Sequence, residues 1–186
     1  MKRIIDIIVA LFLLAILFLP MIMIGIFVRF TSPGPSLFWS KRVGLNNTYF
    51  YMPKFRSMRI EAPNIATHKL KEPDKYITKF GAFIRKTSLD ELPQLISVLK
   101  GDMSLVGPRP ALYNQYDLIS RRTKLNISSI SPGITGWAQI NGRDDLTISK
   151  KVDLDCFYLL NRSTIMDLKI IFLTVKYAFK SKGIKH

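Results

Sequence analysis

Apolar residues fill nearly every position from Ile7 to Val28, an uncharged run of 22 residues. Coiled as a helix, such a run is about 33 Å long, roughly one hydrocarbon thickness of a bilayer. The pattern predicts a membrane helix within residues 1–30, with no small-residue cleavage site that would mark a removable secretory signal. Pro20 falls near the middle of the run. Proline lacks the amide donor and crowds the preceding turn, so a kink is expected at Leu19-Pro20. Bases flank both ends, Lys2 and Arg3 before, Arg29, Lys41 and Arg42 after. Positive flanks favour the cytoplasmic side, and a spanning helix would strand one of them outside. The alternative is a bent, re-entrant helix that enters and leaves by the same face. Charge and kink leave both arrangements open.

At Thr31-Ser32-Pro33-Gly34-Pro35 the pattern changes abruptly, as turn-forming residues end the helix and open a second region, residues 31–186. Leu37–Trp39 and Tyr49–Met52 read as short strands, with Asn46-Asn47 between them suited to a turn. Residues 61–75, with Pro63, Pro73 and several charges, read as a surface excursion. Leu92, Leu95, Ile96 and Leu99 have the spacing of one apolar helix face, stopped by Gly101. Further on, Ile165, Leu168, Phe172, Val175 and Phe179 form an apolar stripe with Lys169, Lys176, Lys180 and Lys182 on other faces. That stripe fits a helix packed on the core. Its basic, aromatic-bearing surface also suits a helix lying along a membrane interface. The expected fold class is α+β: a membrane helix, then a small domain of short strands and helices.

Composition sharpens this picture through charge. Against 13 Asp and Glu stand 28 Lys and Arg, a net charge of +15. A balance like that points to polyanions: nucleic acid, an anionic membrane face or phosphorylated substrates. Trp39, Tyr49, Phe50, Tyr51, Trp137, Phe157 and Tyr158 are not interleaved with the basic clusters as a base-stacking platform requires, so nucleic acid is not expected. The single cysteine, Cys156, allows no intramolecular disulfide, and no Cys/His spacing suits zinc. The sequence has no Walker loop, G-x-G-x-x-G, H-E-x-x-H or nucleophile elbow. His68 and His186 are isolated.

The densest candidate chemistry is Arg85-Lys86-Thr87-Ser88-Leu89-Asp90-Glu91-Leu92-Pro93-Gln94, two adjacent carboxylates opening a helix behind two cations. Ser88 and Glu91 also fit a capping box, in which the glutamate reaches back to the serine amide. Pro93 weakens that reading, since with Asp90 as the N-cap it falls in the first turn, where no donor is needed. Spacing alone leaves capping and catalysis both open. Gly107-Pro108-Arg109-Pro110 holds an arginine between two prolines, which restrict its backbone. Gly133 to Asp144 combines turn glycines with polar side chains and Arg143. With Lys54, Arg56 and Arg59, these offer several cations to one phosphate-bearing ligand. Carboxylates without histidine or further thiols imply a hard cation such as Mg²⁺.

Taken together, these blocks resemble the small monotopic phosphoglycosyl transferases of the bacterial sugar transferase family. The resemblance rests on the apolar helix with its proline, Lys54-Phe55-Arg56-Ser57-Met58, Ser88 to Gln94, Lys100-Gly101-Asp102-Met103-Ser104, Val106 to Pro110, and Pro132 to Gln139. It covers essentially the whole chain. It implies transfer of a sugar 1-phosphate from a UDP-sugar to undecaprenyl phosphate, with release of UMP, a Mg²⁺ requirement and a re-entrant helix. Asp90 matches the family's nucleophilic aspartate and Glu91 its metal-binding partner, with Asp90 beside the metal. Lys54, Arg56, Arg85, Arg109, Gln139, Arg143 and Asp155 are the candidate substrate-binding residues. The implied location is the bacterial inner membrane with the catalytic domain on the cytoplasmic face, and a homodimer is left open. Leu19 departs from the serine that family members often carry before the proline. Some members have an added multi-span N-terminal region, which this sequence is expected to lack. A direct attack of the lipid phosphate on the UDP-sugar remains a mechanistic rival to a covalent intermediate. Residues 61–72 and 145–151 are the expected sugar-reading loops, and Ala62 to His68 resembles members that use amino-deoxy sugars.

Overall fold

The computed structural model describes residues 1–63, 72–142 and 145–178. Helix α1 runs Lys2–Thr31 and contains Pro20, so the helix continues through the proline instead of ending there. Its buried residues Asp6, Ala10, Ile24 and Val28, with half-buried Val9, Leu13, Leu17 and Met21 between them, form a stripe three to four residues apart. That stripe lies against the rest of the chain. The remaining surface of α1 carries Ile4, Ile8, Leu11, Phe12, Ile16, Phe18, Leu19, Met23, Ile26 and Phe30, all exposed. Among the described residues it is the one helix long and apolar enough to cross a bilayer.

Polar contacts fasten both ends of α1. Near the start, Asp6 accepts from the Ser104 hydroxyl at 2.8 Å and the Leu105 amide at 3.2 Å, while Lys2 pairs with Asp167 at 2.6 Å. Near the end, the Ser36 hydroxyl donates to the Gly25 carbonyl at 2.8 Å. Gly34, at φ +102°, makes the turn that follows, in a conformation that residues with a side chain rarely adopt. Its carbonyl accepts from Arg29.

Beyond the turn, β1 (Leu37–Val43) and β2 (Tyr49–Phe55) form an antiparallel pair from Leu37↔Phe55 to Val43↔Tyr49. Asn46 and Asn47 hold positive φ between them, as short polar side chains tolerate. Both strands are longer than the alternation predicts. A short helix, α2 (Pro73–Tyr76), precedes α3 (Lys79–Lys86), whose N-cap Thr78 accepts from the Gly81 amide at 2.8 Å. A single 3-10 turn, Leu89–Glu91, links α3 to α4 (Gln94–Lys100). Gly101 closes α4 at φ 96°, as the apolar spacing predicts.

The chain continues as β3 (Ser104–Val106), α5 (Tyr116–Lys124), β4 (Gly133–Thr135), α6 (Trp137–Ile140), α7 (Ile148–Asn161) and α8 (Thr164–Ala178). β3 and β4 pair in parallel. Gly107 and Gly133 approach so closely that a Cβ on either would strike the other's backbone. The main core joins Ala10 of α1, Phe50 and Met52 of β2, Leu95 and Val98 of α4, Leu105 and Val106 of β3, and Met166 and Ile170 of α8. A second cluster gathers Ile24, Val28, Phe55 and Ile84. The architecture is mixed, a long apolar helix with a small helix-and-strand domain. The core-packed reading of the Ile165 stripe is corrected here: Ile165, Leu168, Phe172 and Val175 are exposed, and α8 buries Met166 and Ile170 instead. Phe179 lies outside the described residues.

Candidate functional site

Asp90 and Glu91 sit on the Leu89–Glu91 turn, both buried. Ser88 enters that turn at φ 58° and makes no side-chain cap. Its amide donates to the Arg85 carbonyl at 3.1 Å, so the reciprocal capping box is not formed. Pro93, not Asp90, occupies the N-cap position of α4. The two carboxylates therefore precede the helix, on a tight turn clamped between α3 and α4.

Two cations from distant parts of the chain meet Glu91. Lys54, on β2, donates from Nζ to Oε1 at 2.7 Å. Arg109 approaches with its fork, Nη2 to Oε1 at 2.6 Å and Nη1 to Oε2 at 3.3 Å. Bidentate guanidinium contacts of this kind fix direction as well as charge. Arg109 is placed by the segment after β3, where the Gly107 amide donates to the Thr135 carbonyl and the Gly133 amide to the Pro108 carbonyl, both at 2.9 Å. The two short parallel strands thus aim a cation at a carboxylate on another element.

Asp90 lies in the same field and is buried like its neighbour. Burial pushes its carboxyl up to about 6, against the attraction of Lys54, and the adjacent Glu91 charge pushes the same way. Arg85, in the last turn of α3, and Arg109 pull weakly in the other direction. Burial likewise lowers the Lys54 ammonium, with Glu91 as the main opposing influence. Near neutral pH the aspartate remains mostly ionised yet poorly hydrated. Such a carboxylate is a competent nucleophile when cations stand ready to share the charge of an incoming phosphate.

The structure therefore gathers Asp90, Glu91, Lys54 and Arg109, with Arg85 acting on Asp90 through charge. Other predicted residues lie apart from this group. Arg56 is buried and donates to the carbonyls of Ser32 at 2.7 Å and Gly34 at 3.2 Å, holding the turn after α1. Gln139 donates to the Ile134 carbonyl at 3.2 Å beside the Gly107 and Gly136 contact. Asp155, on α7, is 1% exposed and accepts from Arg122, which removes it from reach of a substrate. Burial raises its carboxyl and the Arg122 charge opposes this. Arg143 and His68 lie outside the described residues, as does most of the 61–72 loop.

Arg122 is the residue that motif reasoning missed. Its signal was its position four residues after Leu118 on the apolar side of α5, where a buried arginine demands an acidic partner. Among the described residues no group of three His, Cys, Asp or Glu side chains could hold a metal. Two adjacent carboxylates nevertheless suit Mg²⁺, which keeps waters and takes oxygens from substrate phosphates.

A family model described as "Bacterial sugar transferase" matches residues 1–181. The "Uncharacterized sugar transferase EpsL" of Bacillus subtilis (strain 168) is 42% identical over 185 residues, covering 100% of this chain and 90% of the relative. The UDP-glucose:undecaprenyl-phosphate glucose-1-phosphate transferase of Escherichia coli (strain K12) is 40% identical over 191 residues, covering 98% of this chain. Galactosyl transferase CpsE of Streptococcus agalactiae serotype III (strain NEM316) is 44% identical over 164 residues, covering 82% of this chain. This chain spans 41% of the Escherichia coli protein and 36% of the streptococcal one.

Proposed function

The chain belongs to the bacterial sugar transferase family, and from that premise we propose that it transfers a sugar 1-phosphate from a UDP-sugar to undecaprenyl phosphate, releasing UMP. The observation that carries this reading is the buried Asp90-Glu91 pair, with Lys54 and Arg109 on Glu91 and Arg85 acting on Asp90. Such a constellation supplies a nucleophile and positive charge, which is what displacement at a diphosphate requires.

In this reaction an Asp90 carboxylate oxygen attacks the phosphorus that carries the sugar. The bond from that phosphorus to the bridging oxygen breaks, and UMP leaves with the bridging oxygen. A phosphate oxygen of the polyprenyl phosphate then attacks the sugar-phosphoryl aspartate, its bond to Asp90 breaks, and the polyprenyl diphosphate sugar is released with Asp90 free again. Lys54, Arg85 and Arg109 offset phosphate charge during both displacements. Asp90 and Glu91 would hold Mg²⁺, which when bound supplies further charge neutralisation at the diphosphate. Arg143 and Gln139 serve as further substrate contacts. Arg56 and Asp155 are assigned to holding the fold around the site.

The contact stripe of α1 supports a shallow, same-face insertion. Asp6 near one end and Ile24 and Val28 near the other pack on the same domain. A helix crossing the bilayer would draw that domain in after it, whereas a helix entering and leaving by one face keeps the domain there. The opposite apolar face of α1 then meets lipid, and the exposed stripe of α8 lies at the interface. In this reading the site lies beside the inner membrane on its cytoplasmic face, where the basic surface favours anionic lipid.

The test is UMP release by detergent-purified protein given undecaprenyl phosphate, Mg²⁺ and a donor panel. The names of the relatives, UDP-glucose transferases and a galactosyl transferase, put glucosyl and galactosyl donors first in the panel, with N-acetylated amino-deoxy donors beside them. Release from one donor, abolished by Asp90→Asn and by a chelator, is the expected result. A sugar-phosphate adduct on Asp90 in rapid-quench mass spectrometry distinguishes the covalent route. Release with no adduct at any quench time favours direct attack by the lipid phosphate.

A further inference from the structure

The segment Gly107 to Pro110 carries Arg109 toward Glu91, yet two of its four residues are prolines and have no amide to donate. Beyond the Gly107 amide, which donates to the Thr135 carbonyl at 2.9 Å, it is held by its carbonyls. Pro108 accepts from the Gly133 amide at 2.9 Å, and Pro110 accepts from Nη1 of Arg42 at 3.1 Å. The carbonyl of Arg109 itself accepts from Nη1 of Arg122 at 2.7 Å. Arg122 spends its two other nitrogens on Asp155, Nε to Oδ2 at 3.0 Å and Nη2 to Oδ2 at 2.6 Å. Every link from Asp155 to Glu91 is therefore a named contact: carboxylate, guanidinium, backbone carbonyl, guanidinium, carboxylate.

We propose that Arg122 and Asp155 are positioning residues, which grip the Arg109 carbonyl so that the Arg109 guanidinium is aimed at Glu91. The proposal rests on the reading of Asp90 and Glu91 as the reacting site. The physical argument is one of torsion. A proline on either side leaves Arg109 little freedom except a small rotation of its own peptide planes, and a donor fixed on its carbonyl removes that rotation. Arg122 can serve as such a donor only while its own fork is immobilised. Asp155, buried on α7 and bonded through one oxygen to two guanidinium nitrogens, immobilises it. An unpaired buried arginine would turn toward water and release the carbonyl.

Asp155→Asn in the full chain is expected to lower kcat for UMP release by about tenfold or more, in the range typical of residues that orient a catalytic group. Since breaking a buried pair can also unfold the protein, a second variant separates the two effects. Arg122→Met with Asp155→Leu replaces the pair by apolar groups of similar size, which restores packing without restoring a donor to Arg109. Its melting temperature is expected near that of the parent while kcat stays at the low level. Recovery of kcat together with the melting temperature would assign the pair a purely structural role and overturn the proposal.

Hydrogen exchange supplies a readout that does not depend on turnover. In the folded double variant the amides of Arg109 and Ala111 are expected to exchange about tenfold faster, with those of α4 unchanged. Unchanged exchange at Arg109 would overturn the proposal even if activity fell. A parent protein that releases no UMP from any donor overturns the functional reading instead, and leaves the exchange result to decide the positioning role.

Discussion

Asp90 carries the sharpest consequences of any single residue. Burial raises its carboxyl to about 6, so the native state holds a proton that the unfolded chain has already released between roughly pH 4 and 6. Stability from this group is greatest below that interval and is lost as pH rises through 6. Asp90→Asn removes the desolvated charge and is expected to stabilise the protein by about 1–3 kcal/mol at pH 7 while abolishing UMP release. Urea unfolding at pH 7 and pH 4 checks this, with the gain vanishing at the lower value. The same titration predicts that kcat falls on the acid side, with an apparent midpoint near 6. Glu91 responds in the opposite sense. Glu91→Gln leaves Lys54 and Arg109 without their shared carboxylate, and a loss of about 2–4 kcal/mol is expected in the same urea experiment. Motif reading found both carboxylates because adjacent acids behind two cations are conspicuous in one dimension. It could not see that Asp155 is spent on Arg122, since the residues lie 33 apart and only packing joins them.

The elements show how a few local rules position the site. Gly101 ends α4, Thr78 caps α3, and the asparagines between β1 and β2 take the left-handed conformations that a tight connection demands. Each of these follows from residue type at its own position. The joint between α3 and α4 does not, because Ser88 at φ 58° and the following 3-10 turn are held by what surrounds them. The depth of α1 is likewise a matter of packing. Ala10 has no exposed surface where α1 meets α4, and a larger side chain there would drive the helices apart. Ala10→Leu is expected to cost about 1–3 kcal/mol by overpacking, measured by thermal unfolding in detergent. Phe12→Ala, on the exposed side of the same helix, should leave the stability in the same experiment within about 0.5 kcal/mol of the parent.

Across the whole molecule, apolar surface on α1 and α8 coexists with a net charge of +15. This combination predicts binding to vesicles containing anionic lipid that is strengthened at low salt yet persists at high salt through apolar insertion. Leu168→Asp with Phe172→Asp should weaken flotation with such vesicles without lowering the melting temperature, because both side chains face outward. By itself the sequence determined the apolar helix, the strand and turn positions around Asn46, the end of α4 and the adjacency of Asp90 and Glu91. These are written locally, in residue type and in spacing shorter than one element. Tertiary structure alone decided that Lys54 and Arg109 converge on Glu91, that α8 turns its long apolar stripe outward, and that Asp155 lies buried behind Arg122. Those outcomes depend on burial and on charges brought together from distant parts of the chain, and neither exists before the chain has folded.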